Sequence, residues 1–203
     1  MDKQTLFDFW SKSYDILLPS VFYQAIHQRI LDYTQLPEGA TVLDLGCGTG
    51  KLLNRLAQHY PSLTGTGLDF SSEMLKQAQI KSYDPNRLTY VQGAAGATTL
   101  KQEQYDAVFC TVSFLHYPDP LTVLREVYRV LKPSGRFYLA DYIPPAWMGQ
   151  AQLDVPVWAG NIHFYSPVTR KSLGEKAELV LLDNHYLFGP IMLTIFAKEA
   201  KDN

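Results

Sequence analysis

The segment Val42–Gly50, VLDLGCGTG, restricts the possible folds of this chain more than any other stretch. An apolar run interrupted only by Asp44 leads directly into three glycines with the spacing Gly46-x-Gly48-x-Gly50. Glycine adopts the left-handed backbone conformations that a tight turn requires, and it lets the backbone approach a ligand closely. A buried strand that ends in such a turn and continues into a helix is typical of α/β folds that bind nucleotides.

Strand-like and helical segments alternate along the rest of the chain. The predicted strands cover residues 41–45, 63–68, 88–92, 107–110 and 136–140, with helices around 51–59, 72–80 and 120–131 between them. Strands joined through helices form right-handed crossovers, which predicts a parallel sheet with helices on both faces. Residues 179–187 and 191–198 are joined by only three residues, so we expect an antiparallel hairpin there. Residues 2–32 are predicted to form one or two helices before the first strand.

The composition is that of a globular α/β domain. The chain has 203 residues, of which 46% are hydrophobic and 19% charged, with a formal net charge of −2. No apolar run approaches the roughly 20 residues of a transmembrane helix, and the scattered basic residues do not form the positive surface of a nucleic-acid-binding protein. Cys47 and Cys110 lack the spacing of metal ligands, and Cys110 is expected in the core. We therefore expect one domain over residues 1–203, reduced and cytoplasmic, without a metal, a membrane span or a nucleic-acid partner. The sequence gives no indication of the oligomeric state.

The acids near the glycine turn distinguish between nucleotide cofactors. A carboxylate at Asp44, at the mouth of the turn, repels a diphosphate and attracts an ammonium group. S-adenosylmethionine (SAM) has no phosphate and carries both an α-ammonium and a sulfonium. Asp69, at the end of the next strand in GLDFSSEML, can accept hydrogen bonds from both ribose hydroxyls, as in dinucleotide-binding folds. The pattern predicts SAM as the cofactor, with S-adenosylhomocysteine as its product, and disfavours a nicotinamide-dependent oxidoreductase.

Together with YDAVFCTVSFLHYPDPLTVLREVYRVLKPSGRFYLADY, these motifs resemble the class I SAM-dependent methyltransferases. The pattern is most similar to the group of ubiquinone and menaquinone C-methyltransferases, and the resemblance runs from about residue 41 to residue 142. It implies a Rossmann-like sandwich with a seven-stranded, mostly parallel sheet in the order 3-2-1-4-5-7-6, the last strand antiparallel. Residues 1–35 are expected to form an N-terminal helical cap.

The resemblance also implies where the cofactor contacts lie. Asp44 and the three glycines would surround the methionine end, Asp69 would bind the ribose, and Thr111 would lie near the transferred methyl group. Phe70 and Met74 would lie beside the adenine. The full set of expected contacts is Tyr14, Asp44, Gly46, Cys47, Gly48, Gly50, Asp69, Phe70, Met74, Gly93, Ala94, Ala95 and Thr111.

One position departs from the pattern of the family. These enzymes usually place an acid after the third strand to accept a hydrogen bond from the adenine amino group, whereas this chain has Gly93-Ala94-Ala95-Gly96-Ala97. Backbone groups remain to bind the adenine edge, and the loss of one hydrogen bond costs on the order of 1 kcal/mol. A SAM-binding protein without catalytic activity is therefore an alternative function.

Aromatic residues flank the expected methyl site on two sides. Near the N-terminus stand Phe7, Phe9, Trp10, Tyr14, Phe22 and Tyr23. Residues 143–165 have no strong helical or strand period and are expected to form a lid or substrate loop. Its large side chains either line an apolar pocket or pack the loop onto the sheet; they are Trp147, Met148, Trp158, Phe164 and Tyr165. We hypothesise a small apolar or aromatic acceptor, quinone-like, methylated at carbon or oxygen. A small polar metabolite and a protein substrate remain alternatives.

Two histidines are the leading candidates for a general base, which is needed if the acceptor arrives protonated. His116 follows the fourth strand in SFLHYPDP, and His163 lies in the loop after the fifth strand. Weaker candidates are Tyr14, Tyr117 and Asp141. The other histidines, His27, His59 and His185, are interpreted as surface residues of helices or strands.

Overall fold

The computed structural model describes residues 17–145, 149, 151–157 and 160–200. Its helices are α1 (Leu17–Leu31), α2 (Lys51–His59), α3 (Ser72–Ile80), α4 (Pro120–Val130) and α5 (Pro167–Lys176), with a 3-10 turn at Phe114–His116. Its strands are β1 (Thr41–Leu45), β2 (Thr64–Asp69), β3 (Leu88–Gln92), β4 (Tyr105–Thr111), β5 (Leu131–Tyr142), β6 (Gln152–Val157), β7 (Gly160–Tyr165), β8 (Leu179–Phe188) and β9 (Ile191–Lys198).

Seven strands form one sheet in the order β3-β2-β1-β4-β5-β9-β8. The strands from β3 to β5 are parallel, and β9 runs antiparallel to both β5 and β8. The last two strands of this sheet are β8 and β9, and not the sixth and seventh of the chain, because β6 and β7 form a separate two-stranded sheet. When only the strands of the large sheet are numbered, the order is 3-2-1-4-5-7-6 with the last strand antiparallel, which confirms the predicted architecture.

A hydrophobic core lies on each face of the large sheet. Successive residues of a strand point to opposite faces, and β1 divides accordingly: Val42 packs in the core that contains α1 and α2, whereas Leu43 packs in the core that contains α4. In β4, Phe109 and Cys110 divide in the same way, and both are fully buried. The predicted helices on both faces and the predicted core position of Cys110 are therefore confirmed.

The parallel strands end at a common edge of the sheet, which collects the predicted site residues. The carboxyl ends of β1, β2, β4 and β5 lie at Leu45, Asp69, Thr111 and Tyr142. Open α/β sheets bind ligands at this edge. The glycine turn, the second acid and the connections that follow β4 and β5 are thus brought together, although they are far apart in the sequence.

Residues 143–165 differ from the expected irregular loop. Within them, β6 and β7 form an antiparallel hairpin whose register runs from Gln152 opposite Tyr165 to Val157 opposite Gly160. Helix α5 follows directly and was not predicted, although Ser166 caps it by accepting a hydrogen bond from the Thr169 amide at 3.2 Å, and a proline occupies its first turn. Of the predicted N-terminal cap, the structure describes α1, which packs on α2 and β8. No helix within the described ranges is long and apolar enough to span a membrane.

Candidate active site

The glycine turn after β1 has three positive φ angles, at +75° for Gly46, +52° for Gly48 and +75° for Gly50. A Cβ atom on Gly46 would lie 2.6 Å from the Ser113 hydroxyl oxygen, and one on Gly50 would lie 2.7 Å from the Tyr90 hydroxyl oxygen. A Cβ on Gly48 would have no heavy atom within 4 Å. The outer two glycines therefore allow close packing below the turn, whereas the middle one faces open space.

Asp69 connects the end of β2 to this turn. One carboxylate oxygen accepts a hydrogen bond from the Gly48 amide at 2.8 Å, and the other accepts one from the Ser71 amide at 2.9 Å. Ser71 in turn caps α3, because its hydroxyl oxygen accepts a hydrogen bond from the Met74 amide at 3.2 Å. The carboxylate is thus fixed in orientation beside the glycine turn.

Asp44 is buried beside this pair without a hydrogen bond from any residue that the structure describes. Asp44 is only 2% exposed to solvent. Burial, and then the charge of Asp69, raise the pKa of Asp44 to about 8. A cation placed beside Asp44 would reverse both effects, because it favours the ionised carboxylate. The site is therefore suited to a positively charged ligand group.

Two neutral side chains, Cys47 and Thr111, lie at this edge of the sheet. Burial, followed by the charges of Asp44 and Asp69, raises the pKa of the Cys47 thiol well above its ordinary value. The thiol is therefore protonated and uncharged. At the end of β4, the hydroxyl oxygen of Thr111 is buried and has no hydrogen-bond partner among the described residues. An unsatisfied buried hydroxyl is costly, which makes Thr111 available to a ligand.

The expected adenine side is partly open and partly packed. Phe70 is 36% exposed, and Ala94 is exposed, whereas Met74 and Ala95 are buried. Ala94 and Ala97 form an isolated bridge that closes the turn after β3, and the Gly93 amide donates to the Asp69 carbonyl oxygen at 3.0 Å. Phe70 and the backbone of this turn can contact an adenine, and Met74 supports them from below.

These features together fit SAM. Open space lies over Gly48, an unpaired carboxylate at Asp44 suits the ammonium group, and Asp69 is oriented for two hydroxyls. Thr111 provides an unused hydroxyl at the neighbouring strand end. Tyr14, the remaining expected contact, lies outside the described residues.

Two candidate bases lie near this edge on neighbouring elements. His116 ends the 3-10 turn that follows β4, and its amide donates to the Ser113 carbonyl oxygen at 3.0 Å. His163 lies on β7, and β7 packs against the same turn. The contact includes an edge-to-face pair of Phe114 and Tyr165, whose ring centroids are 5.5 Å apart.

An aromatic cluster lies beyond the carboxyl end of β5. Tyr142 stacks on Phe22 of α1, with ring centroids 6.4 Å apart, and meets Phe164 of β7 edge-to-face at 6.0 Å. Phe22 also contacts Phe188 at 5.5 Å. We call Phe22, Tyr142, Phe164 and Phe188 the aromatic cluster. It joins the two aromatic stretches that the sequence analysis singled out.

Comparison with known proteins places this site in a family. A family model described as a methyltransferase domain matches residues 43–139. The demethylmenaquinone methyltransferase of Lactococcus lactis is 34% identical over 140 residues, which are 68% of this chain and 56% of the relative. The 2-phytyl-1,4-naphtoquinone methyltransferase of Thermosynechococcus vestitus is 32% identical over 146 residues, 70% of this chain and 65% of the relative. The chain belongs to the class I SAM-dependent methyltransferases.

Solved structures of methyltransferases share the fold. The putative methyltransferase of Haloferax volcanii, solved in complex with the Trm112 methyltransferase activator, superposes with a TM-score of 0.80 at 22% identity, covering 98% of this chain and 99% of that one. A putative methyltransferase from Bacillus halodurans gives a TM-score of 0.72 at 17% identity, covering 86% and 99%. The chain spans less than two thirds of the length of the two curated relatives.

Two of the weaker base candidates have structural partners. The Ser113 hydroxyl donates to the Leu45 carbonyl oxygen at 3.0 Å, so the Tyr117 hydroxyl, 3.2 Å away, donates to it. Burial raises the pKa of Tyr117 well above its usual value. Asp141 accepts hydrogen bonds from the amides of Leu115 at 3.0 Å and Tyr142 at 2.7 Å. Both groups therefore hold the segment after β4 in place.

Sequence reasoning missed Ser113 and the buried state of His27. Ser113 touches the Gly46 backbone from below, and only the tertiary fold shows this contact. His27 was interpreted as a surface residue, but it is 7% exposed, and burial, then the charges of Arg55 and Lys51, lower its pKa to about 3. Of the predicted pocket-lining residues, Tyr165 is buried and packs on Phe114, whereas Trp147, Met148 and Trp158 lie outside the described residues.

Proposed function

We propose that this protein transfers the methyl group of SAM to a small apolar or aromatic acceptor, with a quinone-like ring as the preferred class. The observation that carries the proposal is the buried Asp44 carboxylate, which lacks a hydrogen-bond partner in the described ranges and lies close enough to Asp69 and Cys47 for its charge to act on them. A phosphate would oppose the ionisation of Asp44, whereas an ammonium group pairs with the ionised carboxylate, so the arrangement favours a cationic group over a phosphate.

The residues of the chain bind and align the reactants. When bound, SAM supplies a methyl group that is already activated by the sulfonium, so the protein mainly provides orientation and exclusion of water. Asp44 would bind the ammonium group, and Asp69 would bind the ribose hydroxyls. Phe70 would pack against the adenine, and Thr111 would provide a hydroxyl on the side of the methyl group. His116 and His163 are the candidate proton acceptors for an acceptor that arrives protonated.

The acceptor class is inferred from the aromatic cluster. Aromatic and apolar side chains favour a planar apolar ligand because they bury its surface. Tyr142 ends β5 at the same sheet edge as the glycine turn, one strand beyond Thr111, and Phe164 of the separate β6–β7 sheet packs against it. The two curated relatives are named for quinone methylation, and an acceptor of that shape agrees with the aromatic cluster.

The test combines a binding assay with a transfer assay. Calorimetry measures binding of SAM, of S-adenosylhomocysteine and of NAD, and a radiolabel assay follows methyl transfer to 1,4-dihydroxynaphthalene, catechol and glycine. We expect SAM and its product to bind, NAD not to bind, and transfer to one of the aromatic acceptors. Binding of NAD in place of SAM would refute the proposal, and transfer to glycine alone would replace the aromatic acceptor with a small polar one.

A second candidate function is SAM binding without methyl transfer. It is favoured by Ala94, which is exposed at a position where the family usually carries an acid. In that case SAM would bind and no acceptor in the panel would be methylated. An Ala94→Asp variant separates the two possibilities: it should tighten SAM binding by about tenfold, the equivalent of one hydrogen bond, and restore transfer only if weak cofactor binding was limiting.

A further inference from the structure

The hairpin β6–β7 carries a histidine and a carboxylate in direct contact. Asp154 and His163 are paired across the two strands, and the His163 Nδ1 atom lies 2.7 Å from an oxygen of Asp154. The Gln152 side-chain amide donates to the same carboxylate oxygen at 2.7 Å. The His163 side chain is 17% exposed, whereas that of Asp154 is 50% exposed. The imidazole is therefore mostly enclosed, with its partner carboxylate on the solvent side.

This contact determines which nitrogen of His163 can accept a proton. An ionised carboxylate only accepts hydrogen bonds, so Nδ1 must carry the hydrogen. The hydrogen bonds from Gln152 and His163 lower the pKa of Asp154, which keeps the carboxylate ionised. The neutral imidazole then has its lone pair on Nε2, and the structure places no hydrogen-bond partner on Nε2 within the described ranges. A histidine whose Nδ1–H is held by a carboxylate is an oriented proton acceptor.

The face of the hairpin that carries His163 is the face that packs on the turn after β4. Side chains two residues apart share a face of a strand, so His163 and Tyr165 point the same way, and their rings stack with centroids 6.2 Å apart. Tyr165 packs on Phe114, and the preceding Ser113 contacts the backbone of Gly46. Ring contacts therefore connect His163 to the segment after β4, whose Ser113 contacts the glycine turn.

We propose that Asp154 is a positioning residue that orients His163 as the general base for methyl transfer. This inference rests on the proposed function and specifies the acceptor further: the methylated group must carry a proton that it loses, as a phenolic hydroxyl does. The hydroxyl proton moves to His163 Nε2, and the electron pair of the O–H bond makes the oxygen, or the ring carbon beside it, nucleophilic. A bond forms to the methyl carbon while the C–S bond breaks, and its electron pair stays on sulfur. After attack by carbon, that carbon loses its own proton to solvent.

Among the described residues, titratable groups approach His163 from β6, from β7 and from the 3-10 turn after β4. Asp154 faces it from β6, Tyr165 lies beside it on β7, and His116 lies on the 3-10 turn against which β7 packs. Burial, followed by the charges of Asp154 and Asp119, raises the pKa of the Tyr165 hydroxyl to about 12. Tyr165 is thus neutral at the working pH, and Asp154 is the partner that controls His163.

The first readout needs neither SAM nor acceptor. Nitrogen-15 NMR of the histidine side chains in the cofactor-free protein, assigned with His163→Gln, measures the tautomer of His163. In the wild type we expect hydrogen on Nδ1, and in Asp154→Asn we expect this preference to be lost, because the amide no longer requires a donor at Nδ1. The matched control is Asp183→Asn, which changes a second pair on β8, His185 Nε2 and Asp183 at 3.0 Å, and should leave the tautomer of His163 unchanged. An unchanged tautomer of His163 in Asp154→Asn would overturn the inference.

The second readout is the pH profile of methyl transfer to 1,4-dihydroxynaphthalene. We expect kcat to fall at least about a hundredfold in His163→Gln and at least tenfold in Asp154→Asn, while SAM binding is unchanged. Asp154→Glu keeps a carboxylate and should retain more activity than Asp154→Asn; an equal loss in both would overturn the role of the carboxylate. If the wild type transfers methyl groups and both Asp154→Asn and His163→Gln are fully active, the inference fails and the proposed function stands. If the wild type methylates no acceptor, the proposed function fails, whatever NMR shows for His163.

Discussion

Replacement of Asp44 by Asn tests the electrostatic basis of cofactor binding. In the cofactor-free protein, burial and the neighbouring Asp69 raise the pKa of Asp44 to about 8. At pH 7 the carboxyl is therefore about nine-tenths protonated. An ammonium group beside it favours the ionised form. SAM binding must consequently release close to one proton from this site at pH 7.

The linked proton gives the pH dependence of affinity a calculable slope. For a group that must ionise on binding, the dissociation constant scales as one plus ten to the power of the difference between pKa and pH. With a pKa of about 8, the dissociation constant for SAM falls about ninefold between pH 6 and pH 7. In Asp44→Asn this slope disappears. The affinity at pH 7.5 falls by about a hundredfold or more, because a buried ion pair has lost one partner.

Calorimetry measures both quantities. Titrations at pH 6.0, 6.5 and 7.0 give the slope, and repeating them in buffers with different ionisation enthalpies gives the number of protons released. Asp183→Asn is the control, since it removes a carboxylate far from the glycine turn, and it should bind SAM as the wild type does. A wild-type dissociation constant that is flat between pH 6 and pH 7, or an unchanged slope in Asp44→Asn, would refute this account of Asp44.

Other parts of the structure give further predictions. Gly46→Ala should lower the melting temperature, at a cost of about 2–4 kcal/mol, because its Cβ would lie 2.6 Å from the Ser113 hydroxyl oxygen at a positive φ. Gly48→Ala, whose Cβ meets nothing within 4 Å, should cost only about 1 kcal/mol of stability yet weaken SAM binding, and equal thermal effects in the two variants would contradict this. Between the folded-state pKa of His27, about 3, and its ordinary value of 6.5, only the unfolded chain binds a proton at this histidine. Wild-type stability should therefore fall by about 2 kcal/mol from pH 8 to pH 5. Denaturant titration should show a smaller loss in His27→Gln. Tyr142→Ala should raise KM for an aromatic acceptor by about tenfold and leave SAM binding unchanged by calorimetry.

The architecture of the sheet was predictable because its determinants are local in the sequence. The run into Gly46 requires a strand followed by a turn, and a three-residue join between two strand-like runs requires a hairpin. Asp44 and Asp69 could be assigned to one edge because the carboxyl ends of parallel strands meet there. Each of these inferences uses only neighbouring residues and the geometry of crossovers.

The hairpin β6–β7 was not predicted because its sequence signal is weak. Pro156 lies inside β6, and proline within a run argues against a strand. The alternation of Asp154 with apolar neighbours is short and lies between residues with no clear period. His163 was recognised as a candidate base, but its partner is nine positions away along the chain and is identified only by the register of the two strands.

The state of charge at the site also depends on packing that the sequence does not show. Asp44 has a raised pKa because the fold buries it and brings Asp69 close. His27 has a lowered pKa because the packing of α1 on α2 buries it and brings the charges of Arg55 and Lys51 close. Neither shift follows from residues adjacent in the sequence, so the types of the site residues were predictable and their protonation states were not.

The way in which the fold treats its buried charged groups identifies the site independently of any motif. Arg170 donates to three carbonyl oxygens and a hydroxyl, Lys198 donates to two carbonyl oxygens and a carboxylate, and Asp141 and Asp69 each accept two amide hydrogen bonds. Asp44 is as deeply buried as these residues and receives none from the described part of the chain. An unpaired buried charge is costly, and the folded protein avoids the cost by protonating Asp44 until a cation arrives. The absence of a donor to Asp44 among the described residues therefore indicates that the ligand carries a positive charge at this point.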